Sequence, residues 1–133
     1  MPSSNPLKQI VLEALGTEPG VEIAILFGST AMGAERRESD LDLAVDAGHV
    51  LTAEEKFGLI SKLAGRIGRP VDLVDLRTAG EPLLGQILKH GIRILGANAR
   101  YAALLRRHLF ESADFLPYRK RILRERRQAW IGR

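Results

Sequence analysis

Two aspartates, two residues apart, are the side chains in this sequence best suited to chemistry. Asp40 and Asp42 open an apolar segment, residues 40–45, that has the alternation of a β-strand. Because side chains alternate across a strand, both carboxylates lie on one face of it. At roughly 4 Å and an effective dielectric of about 20, two such charges repel by on the order of 4 kcal/mol. The pair therefore predicts a bound divalent cation, and its oxygen-only ligands suit Mg²⁺.

A glycine-serine pair stands before these aspartates. Gly28 and Ser29 directly follow residues 21–27, an apolar segment typical of a buried central strand. Glycine lets a ligand approach the main chain, and backbone amides with the Ser29 hydroxyl would hold phosphate oxygens. The ten residues that follow include Arg36 and Arg37, which either neutralise phosphate charge or are solvated loop charges. They also include Ser39, which either donates to a phosphate or caps the turn. A phosphate cradle facing a metal site is what phosphoryl or nucleotidyl transfer needs.

Composition narrows the class of protein. The chain has 133 residues, of which 45% are apolar and 27% charged, as in one ordinary globular domain. Without cysteine it has no disulfides or thiolate metal sites, and its three histidines lack the spacing of a zinc site. No apolar segment approaches the ~20 residues that span a bilayer, and the N-terminus lacks the regions of a signal peptide. We therefore expect a cytoplasmic protein.

Charge is distributed unevenly along the chain. The net charge is −3 over residues 1–98 and +7 over residues 99–133. We expect a core over residues 1–97 and, over residues 98–133, a basic helical C-terminal extension of the same domain. The extension is either a solvated helix face or a docking surface, and Trp130 near its end would be exposed without a contact. It has few aromatic side chains to stack on bases, which disfavours direct nucleic-acid binding.

Helices and short strands alternate in the predicted secondary structure. The predicted helices cover residues 6–15, 52–67, 81–90 and a segment from 98 onward. The predicted strands cover residues 21–27, 40–45, 71–76 and 91–95, the last of them at an edge. This order predicts an α/β (α+β) fold, in which a small mixed β-sheet has helices packed on one face.

The segment GSTAMGAERRESDLDLAV resembles the signature of the DNA polymerase β nucleotidyltransferase superfamily: Gly-Ser, ten residues, then Asp-x-Asp. Alone, Gly-Ser is typical of a turn and Asp-x-Asp of a solvated strand end, but the joint pattern after an apolar strand is specific. More narrowly, the chain is similar to minimal nucleotidyltransferase (MNT) proteins, small domains encoded beside HEPN-domain partners. The likeness runs from about residue 7 to 96 and includes VDLVDLRTAGEPLLGQILKHGIRIL. It implies a polymerase β-like nucleotidyltransferase fold with a helical C-terminal tail.

The resemblance also implies a reaction that uses ATP as substrate and two Mg²⁺ ions. Asp40 and Asp42 would be ligands of both ions. A third carboxylate, on the third strand, would hold the catalytic ion and activate the acceptor hydroxyl. Gly28 and Ser29 would bind the β- and γ-phosphates, and pyrophosphate would leave.

The third carboxylate is either Asp72 or Asp75. Alternation puts the two on opposite faces of the third strand, so only one of them can join the pair, and alternation alone does not decide which. The family pattern places the acid second in the strand, which favours Asp72. Asp75 would then cap the strand end or pair with Arg77, and we expect Asp46 to cap a loop.

The resemblance to MNT proteins implies a Mg²⁺-dependent enzyme that transfers AMP from ATP to a tyrosine of a partner HEPN toxin. The protein would be the antitoxin of this pair and would form a hetero-oligomer with its partner. One alternative is an antitoxin that neutralises its partner by steric binding, without essential catalysis. Another is a small-molecule nucleotidyltransferase of the antibiotic-modifying type, although such proteins usually carry a further substrate-binding domain.

Overall fold

The computed structural model describes residues 6–28 and 40–114, which contain four helices and four strands. The elements are α1 (Pro6–Leu15), β1 (Ile23–Leu26), β2 (Leu41–Asp46), α2 (Ala53–Ile67), β3 (Val71–Asp75), α3 (Leu83–His90), β4 (Ile92–Leu95) and α4 (Asn98–Leu109). A π-helical turn, Phe110–Asp114, continues α4. The predicted element order is correct. None of the helices within the described ranges is long and apolar enough to cross a membrane.

The four strands form one mixed sheet in the order β3-β2-β1-β4. β2 and β3 run parallel, whereas β1 is antiparallel to both β2 and β4. A parallel pair needs a crossover connection, and α2 provides it. The predicted mixed sheet with the last strand at an edge is confirmed. The crossover also brings the N-terminal ends of β2 and β3 side by side, which matters for the site.

Helices cover both faces of this sheet, so the prediction of helices on one face is wrong. α1 and α2 pack on the first face, in a core that includes Val11, Leu15, Leu59, Leu63, Leu26, Leu41, Leu43 and Leu73. α3 and α4 pack on the second face, in a core that includes Leu84, Ile87, Leu88, Leu104, Ile23, Ile25, Ala44 and Leu76. The physical reason is that all four residues of β1 are apolar and buried, so that both faces of this strand must be covered.

Both ends of α2 are defined by local contacts, and the turn after it leads into β3. α2 starts at a capping box, in which the Thr52 hydroxyl accepts a hydrogen bond from the Glu55 amide (3.1 Å) and the Glu55 carboxylate accepts one from the Thr52 amide (3.0 Å). The helix ends at Gly68, whose φ of 82° is in the left-handed region that favours glycine. Two residues later, the Pro70 carbonyl accepts a hydrogen bond of 2.8 Å from the Leu41 amide. This bond ties the turn before β3 to the start of β2.

Two buried carboxylates close the opposite end of these strands. Asp75 accepts hydrogen bonds of 2.9 Å from the amides of Leu51 and Arg77. Asp46 accepts one of 2.8 Å from the Gly48 amide and one of 2.9 Å from the Arg77 side chain. Asp75 thus caps the strand end and Asp46 caps a loop, as expected, whereas Arg77 forms its ion pair with Asp46 and not with Asp75.

We expect Asp75→Ala to lower the free energy of unfolding by about 2–4 kcal/mol, because it leaves the Leu51 and Arg77 amides without their acceptor. The matched control is Asp72→Ala, which removes an exposed carboxylate from the same strand and should change stability by no more than about 0.5 kcal/mol. Urea unfolding of both variants measures the difference. Equal losses would contradict a stabilising role for Asp75.

Candidate active site

Asp42 and Asp72 are neighbours across the parallel pair of strands. Their Cα atoms are register partners at the N-terminal ends of β2 and β3, where adjacent strands lie about 4.8 Å apart. Asp42 is on the same face as Ala44, which packs against α3 and α4, so both carboxylates lie on that face of the sheet. Asp72 is exposed and Asp42 is half-buried. The sheet therefore brings together two predicted site residues that are thirty positions apart in sequence.

The position of Asp75 bears on the open choice of the third carboxylate. Asp75 lies on the opposite face of β3 from Asp72, and its carboxylate accepts hydrogen bonds from two backbone amides. It lies beside Val45, three residues along from the Asp42–Asp72 pair. Among the two candidates, Asp72 is the one that the register places next to Asp42.

The surroundings of Asp42 disfavour its negative charge. Burial raises the pKa of the Asp42 carboxyl, and the carboxylates of Asp72 and Asp40 raise it further, while the Arg69 guanidinium lowers it. Asp40 itself is exposed and lies directly before β2. A carboxyl whose ionised form is disfavoured by two neighbouring carboxylates belongs to a donor set that a hard divalent cation would stabilise. Within residues 6–28 and 40–114, however, no three acidic or histidine side chains already converge on one metal position.

Gly28 brings the main chain against this carboxylate pair. Its φ of 64° is in the left-handed region, and a Cβ atom there would overlap the Oδ2 atom of Asp42. The Phe27 amide, one residue earlier, donates a hydrogen bond of 3.1 Å to the Asp42 carbonyl. Glycine therefore suits this position, where the main chain lies close to the Asp42 carboxylate. Such a close main chain is expected where backbone amides bind a ligand beside the carboxylates.

Several predicted residues lie outside the described part of the chain. These are Ser29, Arg36 and Ser39 of the segment between Gly28 and Asp40, and Trp130 of the C-terminal extension. The structure therefore locates four of the predicted site residues, namely Gly28, Asp40, Asp42 and Asp72.

Sequence analysis missed one charged residue of this site. Arg69 lies in the turn between α2 and β3, and its positive charge lowers the pKa of the Asp42 carboxyl. The available signal was a basic residue in the turn Gly68-Arg69-Pro70, three positions before Asp72.

We expect Asp42→Asn to stabilise the metal-free protein at neutral pH. The folded-state pKa of Asp42 is raised above its usual 3.8, so ionisation at higher pH costs folding free energy, and the cost disappears as pH falls through the raised pKa. The site is open to solvent, which limits the gain to about 1 kcal/mol or less, or about 2–4 °C in Tm. Thermal unfolding in a chelator should show this gain at pH 7 and its disappearance near pH 4. A gain that is independent of pH would contradict the electrostatic cause.

Comparisons with known proteins agree with this geometry. Residues 9–100 match the family described as polymerase beta, nucleotidyltransferase. The protein adenylyltransferase MntA of Shewanella oneidensis is 38% identical over 78 residues, which are 59% of this chain and 56% of MntA, less than two thirds of its length.

Two solved structures extend the comparison. A chain in the crystal structure of a toxin-antitoxin with AMP-PNP superposes with a TM-score of 0.74 at 28% identity, covering 89% of this chain and 96% of that one. A chain in the structure of a tri-AMPylated S. oneidensis HEPN toxin in complex with its MNT antitoxin has a TM-score of 0.63 at 26% identity, with coverage of 96% and 94%. The polymerase β-like nucleotidyltransferase fold and the resemblance to MNT proteins are thus confirmed. This chain belongs to the polymerase β nucleotidyltransferase family.

Proposed function

We propose that this protein is a Mg²⁺-dependent protein adenylyltransferase that moves AMP from ATP to a tyrosine hydroxyl of a HEPN-type toxin and thereby acts as the antitoxin. The observation that carries the proposal is the register pairing of Asp42 with Asp72 beside the side-chain-free backbone of Gly28. The similarity to an enzyme named as a protein adenylyltransferase, and to a complex that contains an AMPylated HEPN toxin, supports the reaction and the partner.

The proposed reaction joins the acceptor oxygen to the α-phosphorus of ATP. The bond between that phosphorus and the oxygen bridging to the β-phosphate breaks, and pyrophosphate leaves with the electron pair. The exposed Asp72 carboxylate accepts the proton of the acceptor hydroxyl, which raises the nucleophilicity of the oxygen. The backbone at Gly28, with Ser29, binds the β- and γ-phosphates, and Arg36 and Ser39 are further nucleotide-binding residues in this proposal.

Asp40, Asp42 and Asp72 would hold the Mg²⁺ ions. When bound, these ions neutralise charge on the phosphoryl oxygens and on the leaving group. The sheet fixes the backbone positions of Asp42 and Asp72, whereas Asp40 is an exposed residue directly before β2.

The division of the chain also enters the proposal. We assign residues 1–97 to the nucleotidyltransferase core and residues 98–133 to a C-terminal extension of the same domain. Support comes from α4, whose Leu104 is buried with Leu84 and Ile87 of α3. This packing of the first helix of the extension against α3 supports the assignment of both parts to one domain.

Labelled ATP tests the proposed function. With Mg²⁺ and the HEPN partner, we expect label from the α-phosphate to appear on the partner and label from the γ-phosphate to stay in the released pyrophosphate. The double variant Asp40→Asn with Asp42→Asn should transfer no label. If the partner stays unlabelled but is still neutralised, the steric antitoxin is the correct function. If label appears on a small molecule in place of the partner, the antibiotic-modifying type of activity is correct.

A further inference from the structure

We propose that a pocket between α4 and the C-terminal ends of β2 and β3 is a second binding site, whose ligand is a small molecule that carries a phosphate monoester. The volume of the pocket is about 340 Å³. Three arginines, one aspartate and three apolar residues are the described residues that line it: Arg77, Arg100, Arg107, Asp46, Val50, Ala103 and Leu104. Asp46 lies four residues along β2 from Asp42, or about 13 Å. The pocket is therefore separate from the proposed active site, and the inference goes beyond the proposed function.

One side of α4 supplies more than half of this lining. Arg100 and Arg107 are two turns apart in the helix, and Ala103 lies between them on the same side. Arg77 reaches the pocket from the segment that follows β3. The helix and the strand end thus bring three guanidinium groups, which are far apart in sequence, to one pocket.

Two of the three guanidinium groups are held by carboxylates. The Nε atom of Arg77 donates a hydrogen bond of 2.9 Å to Oδ1 of Asp46, and Nη1 of Arg100 lies 2.7 Å from Oε1 of Glu22. A guanidinium has five N–H donors, and each of these contacts uses one nitrogen. The two pairs therefore hold Arg77 and Arg100 in position and leave further donors for a ligand.

Arg107 carries the charge that the protein balances least. Its Nη2 atom donates hydrogen bonds to the main-chain carbonyls of Leu76 and Ala79, which are neutral partners. The carboxylate of Glu111 lies 3.8 Å from Nε, which is beyond hydrogen-bonding distance. This Nε atom is buried and has no hydrogen-bond partner within the described residues. Because a half-buried charge is costly without a counter-charge, an anion in the pocket would stabilise Arg107.

The arrangement suits a phosphate monoester better than a carboxylate. A phosphate monoester has three terminal oxygens and a charge of about −1.5 to −2 at pH 7, whereas a carboxylate has two oxygens and a single charge. Three guanidinium groups from α4 and from the end of β3 match the larger set of acceptors. Val50, Ala103 and Leu104 form an apolar wall, on which the organic part of the ligand would lie.

Calorimetry with phenyl phosphate in a chelator tests this site without turnover, because the carboxylates of the active site repel the probe when no metal is present. We expect Ala103→Glu, which adds a carboxylate to the pocket wall, to weaken binding by about 10- to 100-fold. The matched control is Ala102→Glu, the same change at the neighbouring exposed residue of α4, which does not line the pocket. It should bind the probe like the unaltered protein. Equal binding by the two variants, or no binding by the unaltered protein, would overturn the proposal.

Arginine variants test the contacts themselves. Arg100→Gln changes an exposed residue and should weaken phenyl phosphate binding by about 10-fold, and Arg107→Gln should weaken it more. Arg106→Gln removes an exposed arginine that does not line the pocket and should have no effect. If Arg107→Gln fails to fold after losing its contacts with two carbonyls, Arg100→Gln and Ala103→Glu still decide the result. Binding by Arg100→Gln equal to that of Arg106→Gln would show that the guanidinium groups do not hold the ligand.

Two further probes test the class of ligand. Inorganic phosphate should bind more weakly than phenyl phosphate because it makes no contact with the apolar wall, and benzoate should bind more weakly because it has fewer oxygens and less charge. Benzoate binding as tight as that of phenyl phosphate would assign the pocket to a carboxylate, such as an acidic side chain of a protein partner. Inorganic phosphate binding of that strength would show that the apolar wall has no role. Either result would overturn the assignment to a phosphate monoester.

Discussion

Asp72→Asn should reduce the rate of AMP transfer by about 10³-fold or more, which corresponds to about 4 kcal/mol of transition-state stabilisation. The amide keeps the size of the side chain and the register with Asp42 but removes the charge that would hold a metal ion and accept the acceptor proton. Because Asp72 is exposed, the variant should fold as the unaltered protein does. Initial rates of label transfer to the HEPN partner, measured at saturating ATP and Mg²⁺, give the ratio.

Asp75→Asn is the matched control for this loss. It makes the same chemical change in the same strand, but Asp75 faces away from the site and holds the amides of Leu51 and Arg77. We expect it to lower stability and to leave the rate per folded molecule close to that of the unaltered protein. The reverse result, with transfer lost in Asp75→Asn and kept in Asp72→Asn, would reassign the third carboxylate.

Gly28→Ala is expected to have the second largest effect, with transfer reduced by about 10²-fold. The added Cβ overlaps the Oδ2 atom of Asp42, so the carboxylate must leave its position, and a displacement of about 1 Å costs a rate factor of this size. A left-handed φ of 64° would also cost about 1–2 kcal/mol of folding free energy for a residue with a side chain. Transfer assays and urea unfolding measure the two effects separately.

Gly65→Ala controls for the chemistry of adding a methyl group. Gly65 lies in α2, and a Cβ atom there meets nothing within 4 Å. The variant should therefore retain full transfer activity and gain up to about 1 kcal/mol of stability from the better helix propensity of alanine. If Gly28→Ala were as active as Gly65→Ala, the close approach of the backbone to Asp42 would have no functional role.

The pair Asp40 and Asp42 and the glycine before them could be predicted from sequence because their signals are local. A strand period of two places both aspartates on one face, and a glycine after an apolar strand marks a close approach of the chain. The choice between Asp72 and Asp75 could not be made in this way. It depends on how two strands thirty residues apart are aligned, and in the structure Asp72, not Asp75, is the register partner of Asp42.

The sheet face that each helix covers and the place of Arg69 could not be predicted for the same reason. Apolar stripes show that helices such as α3 pack on the sheet, but they do not show which face each helix covers. The signal for two covered faces was present in the uniformly apolar β1. In sequence, Arg69 is indistinguishable from an ordinary loop charge. It lowers the pKa of the Asp42 carboxyl, and the turn that carries it is joined to β2 by the hydrogen bond between Pro70 and Leu41, which is a tertiary contact.

The intact mass of the HEPN partner after incubation with ATP and Mg²⁺ tests the central claim most directly. With the unaltered protein, the mass should rise by one or more AMP units, peptide mapping should place them on a tyrosine, and the modified partner should be neutralised. With Asp72→Asn, the mass of the partner should stay unchanged over the same time. A partner that is neutralised by the unaltered protein at its original mass would contradict the claim that this chain acts by transferring AMP.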